Sequence, residues 1–153
     1  EVIEIGVPAE HITTIDHNME LPTKDFNPER EFKGQKFVHN KAAESEWIEF
    51  RIPGFNCRDT TIAENTKNVA GVQVVKPNGN AIKPTKHNCD ILFNFVMEGE
   101  MTLTASEQPP HELSSGDAFV IPPDILTEYS NVSKDLELLE VSLPGKFKTY
   151  YDT

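Results

Sequence analysis

Residues 116–131, GDAFVIPPDILTEYSN, decide the fold of this 153-residue chain. Gly116 and Asp117 predict a tight turn, and the apolar residues 118–121 after them predict a short strand. Pro122 begins a second turn, and a half-polar strand follows that turn and ends at Asn131. Two turns and two strands in so short a stretch are typical of an all-β protein.

Similar short segments recur through the rest of the chain. They are rich in Val, Ile, Phe and Thr, and Pro, Gly, Asn or Asp turns separate them. The predicted strands are residues 47–52, 57–62, 69–75, 91–97, 100–105, 112–113, 118–121, 127–131 and 136–142. Gly99 lies in a hairpin turn where it is free to take a positive φ. Residues 41–46 could form one helical turn, but no long helical periodicity is present, so the pattern predicts a sandwich or barrel.

Gly116, Asp117, Pro122 and Asn131 match a known motif in type and spacing. The segment resembles the second motif of the cupin superfamily. Residues 93–100, FNFVMEGE, are similar to the strand and glycine turn that close the first cupin motif. The resemblance covers residues 69–145, with weaker support back to 45. It implies an all-β double-stranded β-helix, the cupin jelly-roll barrel, which is often dimeric.

The positions that hold metal ligands in cupins carry other residue types here. Thr127 stands at the histidine position of the second motif. The family's spacing places the first motif's two histidines at Thr85 and His87 and its glutamate at Leu92. Leucine has no donor atom and threonine is a weak ligand, whereas iron or manganese needs several imidazole and carboxylate ligands. We therefore expect no metal site and no cofactor.

A second register of the first motif is also possible. If the closing strand is two residues shorter, His87 and Cys89 take the histidine places and Asn94 takes the glutamate place. His87 and Cys89 could begin a zinc or copper site, but no third or fourth ligand is evident. Both registers point His87 into the barrel.

The main functional hypothesis is that this chain binds an unknown small molecule inside the barrel, with no assigned catalytic residue. A binding pocket needs an apolar cavity with a few convergent polar groups. The predicted ligand-binding residues are His87, Cys89, Asn94, Thr127 and Tyr129. Thr127 and Tyr129 share a face because strand side chains alternate. We also expect His87 to lie beside them.

The alternative hypothesis is a cupin enzyme. One version is a metal-free isomerase or epimerase with His87 as general base, because an imidazole titrates near neutral pH. The other version is a dioxygenase with an irregular metal site. Arg51 and Arg58 also stand out, because an arginine fork suits an anionic ligand. The favoured interpretation pairs them with a neighbouring acid, namely Glu49, Asp59 or Glu64.

Composition limits the partners and the location. The net charge of −11 opposes binding to nucleic acid or to anionic membranes. No apolar run approaches the length of a transmembrane helix. Cys57 and Cys89 are too few for a disulfide framework, and the start of the sequence lacks a signal-peptide pattern, so we expect a cytoplasmic protein.

Two parts of the chain are predicted to differ in organisation. Residues 1–40 are polar and rich in proline, and they are expected to form an N-terminal arm, with residues 23–35 as a loop. Residues 41–153 are expected to form the barrel domain. Residues 2–7 have strand character and could pair across a two-fold axis, which predicts a homodimer.

Overall fold

The structure is a computed structural model that describes residues 2–7, 10, 27 and 29–151. The strands are β1 (Glu31–Phe32), β2 (Gln35–Lys36), β3 (Ile48–Glu49), β4 (Phe55–Asp59), β5 (Gly71–Pro77), β6 (Thr85–His87), β7 (Ile91–Glu98), β8 (Glu100–Ala105), β9 (His111–Ser114), β10 (Ala118–Val120), β11 (Thr127–Ser130), β12 (Glu137–Leu143) and β13 (Thr149–Tyr151). A 3-10 turn at Ala42–Glu44 and the one-turn helix α1 (Ile62–Asn65) interrupt them.

Two antiparallel sheets form the barrel. The six-stranded sheet has the order β10-β7-β12-β5-β4-β3, and the five-stranded sheet has the order β13-β6-β11-β8-β9. Strands that are distant in sequence lie side by side, as β12 does between β5 and β7. This arrangement confirms the predicted all-β jelly-roll fold. No helix within the described residues has the length and apolar character needed to cross a bilayer.

The hydrophobic core lies between the two sheets, because the strands turn alternate side chains inward. Leu92 and Val96 on β7, Leu138 on β12 and Met101 on β8 are almost completely buried. Each such side chain contributes about 1.5–3 kcal/mol relative to an exposed position.

The turns of residues 116–131 and the β7–β8 hairpin have the predicted form. Gly116 has a φ of +99°, and the Asp117 carboxylate accepts the Ser114 backbone N–H at 2.7 Å. Asp124 occupies the position of the usual cupin glycine and has the left-handed φ of +63° that glycine adopts most easily. Gly99 has a φ of +78°, which confirms the predicted hairpin turn.

Several local predictions were wrong. Strands β6 and β13 were not predicted, because three-residue strands containing lysine or threonine show too little periodicity. The strand predicted at residues 57–62 ends at Asp59, since Thr61 takes a left-handed φ of +62° and begins α1. The end of the predicted 23–35 loop contains the hairpin of β1 and β2.

The structure describes only part of the predicted N-terminal arm. Residues 2–7 form no strand within the chain, and the Val2 side chain is 90% exposed. Most of the predicted arm, including residues 11–26, lies outside the described residues. The boundary at residue 40 therefore stays a prediction.

Candidate functional site

The four positions that correspond to cupin metal ligands all lie inside the barrel. Thr85, His87, Leu92 and Thr127 are each at most 5% exposed. Thr85 and Thr127 are opposite each other on β6 and β11, and the Thr127 hydroxyl donates to the Thr85 carbonyl at 3.2 Å. Burial does not separate the two sequence registers, because Cys89 and Asn94 are as buried as Thr85 and Leu92. Among the four positions of the first register, His87 is the one side chain with a nitrogen ligand atom.

Among the described residues, the side chains around these positions differ from the donor set of a cupin metal site. Within the described part of the chain, no three His, Cys, Asp or Glu side chains come together in a cluster that could hold one. Leucine at position 92 offers no donor atom, and the Thr127 hydroxyl, which donates its proton to the Thr85 carbonyl, is a weak metal ligand.

Cys89 is committed to the backbone. Its thiol lies 3.0 Å from the carbonyl oxygens of both Ile91 and Leu143. Burial raises the pKa of the Cys89 thiol, which keeps it protonated and weakly nucleophilic. The structure thus gives Cys89 a structural role at the end of β6, and its predicted role in ligand binding is not needed to explain its burial.

The His87 ring presents a hydrogen-bond donor to the interior. Its Nδ1 accepts the backbone N–H of Cys89 at 3.0 Å. Burial lowers the pKa of His87, and the charge of Arg51 lowers it further, so the ring is neutral at neutral pH. A neutral ring that accepts at Nδ1 carries its proton on Nε2. A general base needs a free lone pair facing the reactant, so this tautomer suits binding better than proton abstraction.

An ion pair between Arg51 and Glu140 lies in the barrel interior. Arg51 Nε donates to Glu140 Oε1 at 3.3 Å, and Arg51 Nη2 donates to Glu140 Oε2. The Glu140 residue is only 3% exposed. Burial opposes the charge of Arg51, but the attraction and hydrogen bond of Glu140 outweigh burial and raise the pKa of Arg51. Arg51 therefore remains charged.

The predicted arginine partners were wrong. Arg51 pairs with the distant Glu140 and not with Glu49, Asp59 or Glu64, and Arg58 donates to Asn40 Oδ1 at 3.3 Å. The sequence around Glu140 does not indicate that its side chain is buried, because strand residues that point to either face of the sheet, Leu139 and Val141 on one and Leu138 on the other, are apolar.

Phe119 neighbours both Tyr129 and Asn94. The Phe119 and Tyr129 rings meet edge to face with centroids 6.4 Å apart, and Phe119 is the direct cross-strand neighbour of Asn94. The Phe55 and Tyr129 rings also meet edge to face, with centroids 5.9 Å apart. The Tyr129 hydroxyl and Asn94 Nδ2 are buried without a hydrogen-bond partner in the described chain. Burial raises the pKa of Tyr129, which therefore stays protonated.

A cavity of about 450 Å³ lies between β9 and β10, the strands at the ends of the two sheet orders. Its wall is largely apolar and includes Phe119. The complete lining is Leu103, Ala105, Ser106, Gln108, His111, Leu113, Ala118, Phe119, Val120, Pro122 and Ile125. None of the five predicted site residues lines it, although Tyr129 contacts the Phe119 ring and Asn94 is the cross-strand partner of Phe119.

His87 and Tyr129 do not lie side by side. Thr85 on β6 lies opposite Thr127 on β11, and the two strands are antiparallel. His87 therefore lies two residues from this pair towards one end of the barrel, and Tyr129 lies two residues from it towards the other end. At about 3.3 Å per residue, the two positions are separated by about 13 Å along the strands. His87 does face inward, but the expected cluster with Tyr129 was wrong.

Comparison with known proteins agrees with this fold. The profile of the Cupin domain family matches residues 71–142. The uncharacterized protein MJ0764 of Methanocaldococcus jannaschii is 30% identical over 81 residues, which are 52% of this chain and 69% of that protein. The chain belongs to the cupin superfamily. The profile match extends from the start of β5 into β12, so the segments that correspond to the two family motifs lie within the matched region.

Solved cupin structures share the architecture at low sequence identity. KdgF from Halomonas is 19% identical, with a TM-score of 0.57 over 70% of this chain and 94% of its own. The polyketide cyclase RemF from Streptomyces resistomycificus is 18% identical, with a TM-score of 0.60 over 78% and 86%. The nucleoside dehydratase Pac13 is 14% identical, with a TM-score of 0.59 over 76% and 92%. At such identities the likeness shows the fold alone.

Proposed function

We propose that this cupin binds a small molecule in the cavity between β9 and β10 without using a metal ion. The observation that carries the proposal is the position of Phe119. This side chain forms part of the cavity wall, meets the Tyr129 ring edge to face and is the cross-strand partner of Asn94. The Tyr129 hydroxyl and Asn94 Nδ2 are both buried without a partner in the described chain.

The cavity suits a ligand with an apolar body. Its volume of about 450 Å³ falls within the range of about 300–1,000 Å³ that is usual for small-molecule pockets. Leu103, Leu113, Phe119 and Ile125 supply apolar contacts, and His111 supplies a polar group at the edge.

The polar end of the ligand is proposed to reach Tyr129 and Asn94. A buried polar group without a partner costs about 1–3 kcal/mol, and a ligand oxygen that bonds to it removes this cost. Movement of the Phe119 ring would join the cavity to both groups. The proposed ligand therefore carries a hydroxyl or carbonyl at one end of a compact apolar body.

An enzymatic role for His87 as a general base has less support. Its Nδ1 accepts from Cys89, so the nitrogen that faces the interior is the protonated one. His87 also does not line the cavity between β9 and β10. Binding is the function that the geometry favours.

The proposal is tested by protein-observed NMR with phenol, benzyl alcohol and toluene as probes. We expect saturable shifts at Phe119 and Leu113, with phenol or benzyl alcohol bound more tightly than toluene. Tyr129→Phe should reduce that preference, and Phe119→Trp, which fills the cavity, should abolish binding. Phe93→Trp on the opposite face of the same sheet is the matched control. Failure of all three probes to bind at millimolar concentrations, or binding that Phe119→Trp leaves intact, would contradict the proposal.

A further inference from the structure

The C-terminal residues 147–151 cover one end of the barrel. Strand β13 pairs with β6, and Thr149 lies directly opposite His87. The Phe147 ring contacts His87 with centroids 5.9 Å apart and lies 5.0 Å from the Arg51 guanidinium carbon. The Tyr151 hydroxyl donates to the Arg51 carbonyl at 2.9 Å. These contacts bring His87, Thr149 and Arg51 to one end of the interior.

Two buried polar atoms at this end lack partners. His87 Nε2 and Thr149 Oγ1 make no hydrogen bond within the described residues. Directly opposed side chains in an antiparallel pair lie on one face, with Cβ atoms about 4.5–5.5 Å apart. Since buried polar groups are almost always bonded, two adjacent exceptions call for an explanation. Both atoms can donate, because the neutral His87 ring carries its proton on Nε2.

Arg51 supplies positive charge beside them. Its Nε and Nη2 bond to Glu140, while Nη1 has no acceptor among the described residues, and the side chain is 17% exposed. Burial is the main cause of the lowered pKa of His87, and the positive charge of Arg51 is the second cause. The guanidinium is therefore close enough to act on the His87 ring. The Ile121 carbonyl lies near the ring without meeting hydrogen-bond geometry at Nε2, and it and the Asp124 carboxylate raise the pKa of His87 more weakly.

We propose that His87, Thr149 and Arg51 form a binding site for a small carboxylate, separate from the cavity between β9 and β10. His87 Nε2–H and the Thr149 hydroxyl donate to the carboxylate oxygens, and the guanidinium offsets the negative charge. Charge-assisted hydrogen bonds of this kind are roughly twice as strong as neutral ones. A neutral amide has one oxygen that could accept these hydrogen bonds, but it lacks the negative charge of a carboxylate, so we expect it to bind more weakly.

The proposal is tested by titrating sodium acetate into the protein and following the His87 imidazole by long-range ¹H–¹⁵N NMR. Sodium chloride keeps the ionic strength constant. We expect a saturable shift of the Nε2 resonance and an increase in the pKa of His87, because a bound anion favours the imidazolium form. Thr149→Val, which preserves shape, should weaken acetate binding by about tenfold, the scale of one lost hydrogen bond to a charged group. Thr104→Val on the outer face of β8 is the matched control.

Acetamide and inorganic phosphate define the specificity. The proposal predicts that acetate binds more tightly than either. It is overturned by the lack of a saturable shift up to about 100 mM acetate, by equal binding of acetamide or phosphate, or by equal affinity in Thr149→Val. Phe119→Trp should bind acetate like the wild type, so this proposal and the proposed cavity function fail separately.

Discussion

Arg51 and Glu140, 89 residues apart in the chain, form a two-pronged ion pair inside the barrel. Each buried charge costs several kcal/mol to remove from water, and the pair offsets this cost through its attraction and its two hydrogen bonds. The centroids of the Phe50 and Phe147 rings lie 4.9 and 5.0 Å from the guanidinium carbon, and the Arg51 side chain is 17% exposed. The barrel interior is therefore partly polar, although an apolar core surrounds it.

Removing one charge of the pair should destabilise the fold. Glu140→Gln leaves the Arg51 charge without its partner, and we expect the free energy of unfolding to fall by about 3–5 kcal/mol. Replacing both residues with apolar ones, as in Arg51→Met with Glu140→Leu, should restore much of the loss. Urea unfolding measures the change, and Glu128→Gln on the exposed face of β11 is the control. A loss below about 1 kcal/mol for Glu140→Gln would show that the pair contributes little.

His87 should make stability depend on pH in a predictable direction. Its pKa is lowered from the ordinary value of 6.5 by burial and by Arg51. As the pH falls below about 6.5, the unfolded chain takes up a proton at this residue while the folded chain does not. The folded state therefore loses stability as the pH falls, until the pH reaches the pKa of His87 in the folded protein.

The comparison of two histidine variants isolates this effect. The difference in unfolding free energy between wild type and His87→Gln should shrink between pH 7.5 and pH 5, because the variant lacks the His87 contribution. His39→Gln, at an exposed site, should keep the wild-type pH dependence. A constant difference for His87→Gln across this range would refute the lowered pKa.

The Tyr129 hydroxyl should be dispensable for folding. Since it is buried without a partner in the described chain, Tyr129→Phe should leave the unfolding free energy unchanged or raise it by about 1 kcal/mol at pH 7. Above pH 10 the wild type should lose stability that the variant keeps, because burial raises the pKa of Tyr129 and only the unfolded tyrosine ionises. Tyr150→Phe, at a residue 41% exposed, is the control. A loss of more than about 1 kcal/mol at pH 7 would reveal a hydrogen bond to this hydroxyl.

Local turn chemistry made the fold predictable from the sequence. Gly99 and Gly116 fix turns at positive φ, and Asp117 closes the second of these turns through Ser114. Such turns depend only on residues close together in the chain, so they can be recognised from the sequence alone. Homodimerisation, a cytoplasmic location and the boundary at residue 40 stay predictions.

The candidate site was less predictable because it depends on contacts between distant strands. Glu140 lies in an apolar run in which Leu139 and Val141 are as apolar as Leu138, so the pattern does not reveal which side faces inward. The role of Phe119 follows from its register with Asn94 and its contact with Tyr129, and neither relation is visible in the order of residues.

The central claim, that ligand binding needs no metal, is tested most directly by isothermal titration calorimetry. The tightest-binding probe among phenol, benzyl alcohol and toluene is titrated into chelator-treated protein, alone and with one equivalent of manganese, iron, zinc or nickel. Because Leu92 and Thr127 replace metal ligands, we predict dissociation constants that agree within about twofold. We also predict well under one equivalent of transition metal in the purified protein by plasma mass spectrometry. Binding that appears only with a metal, and is lost in His87→Ala, would contradict the account.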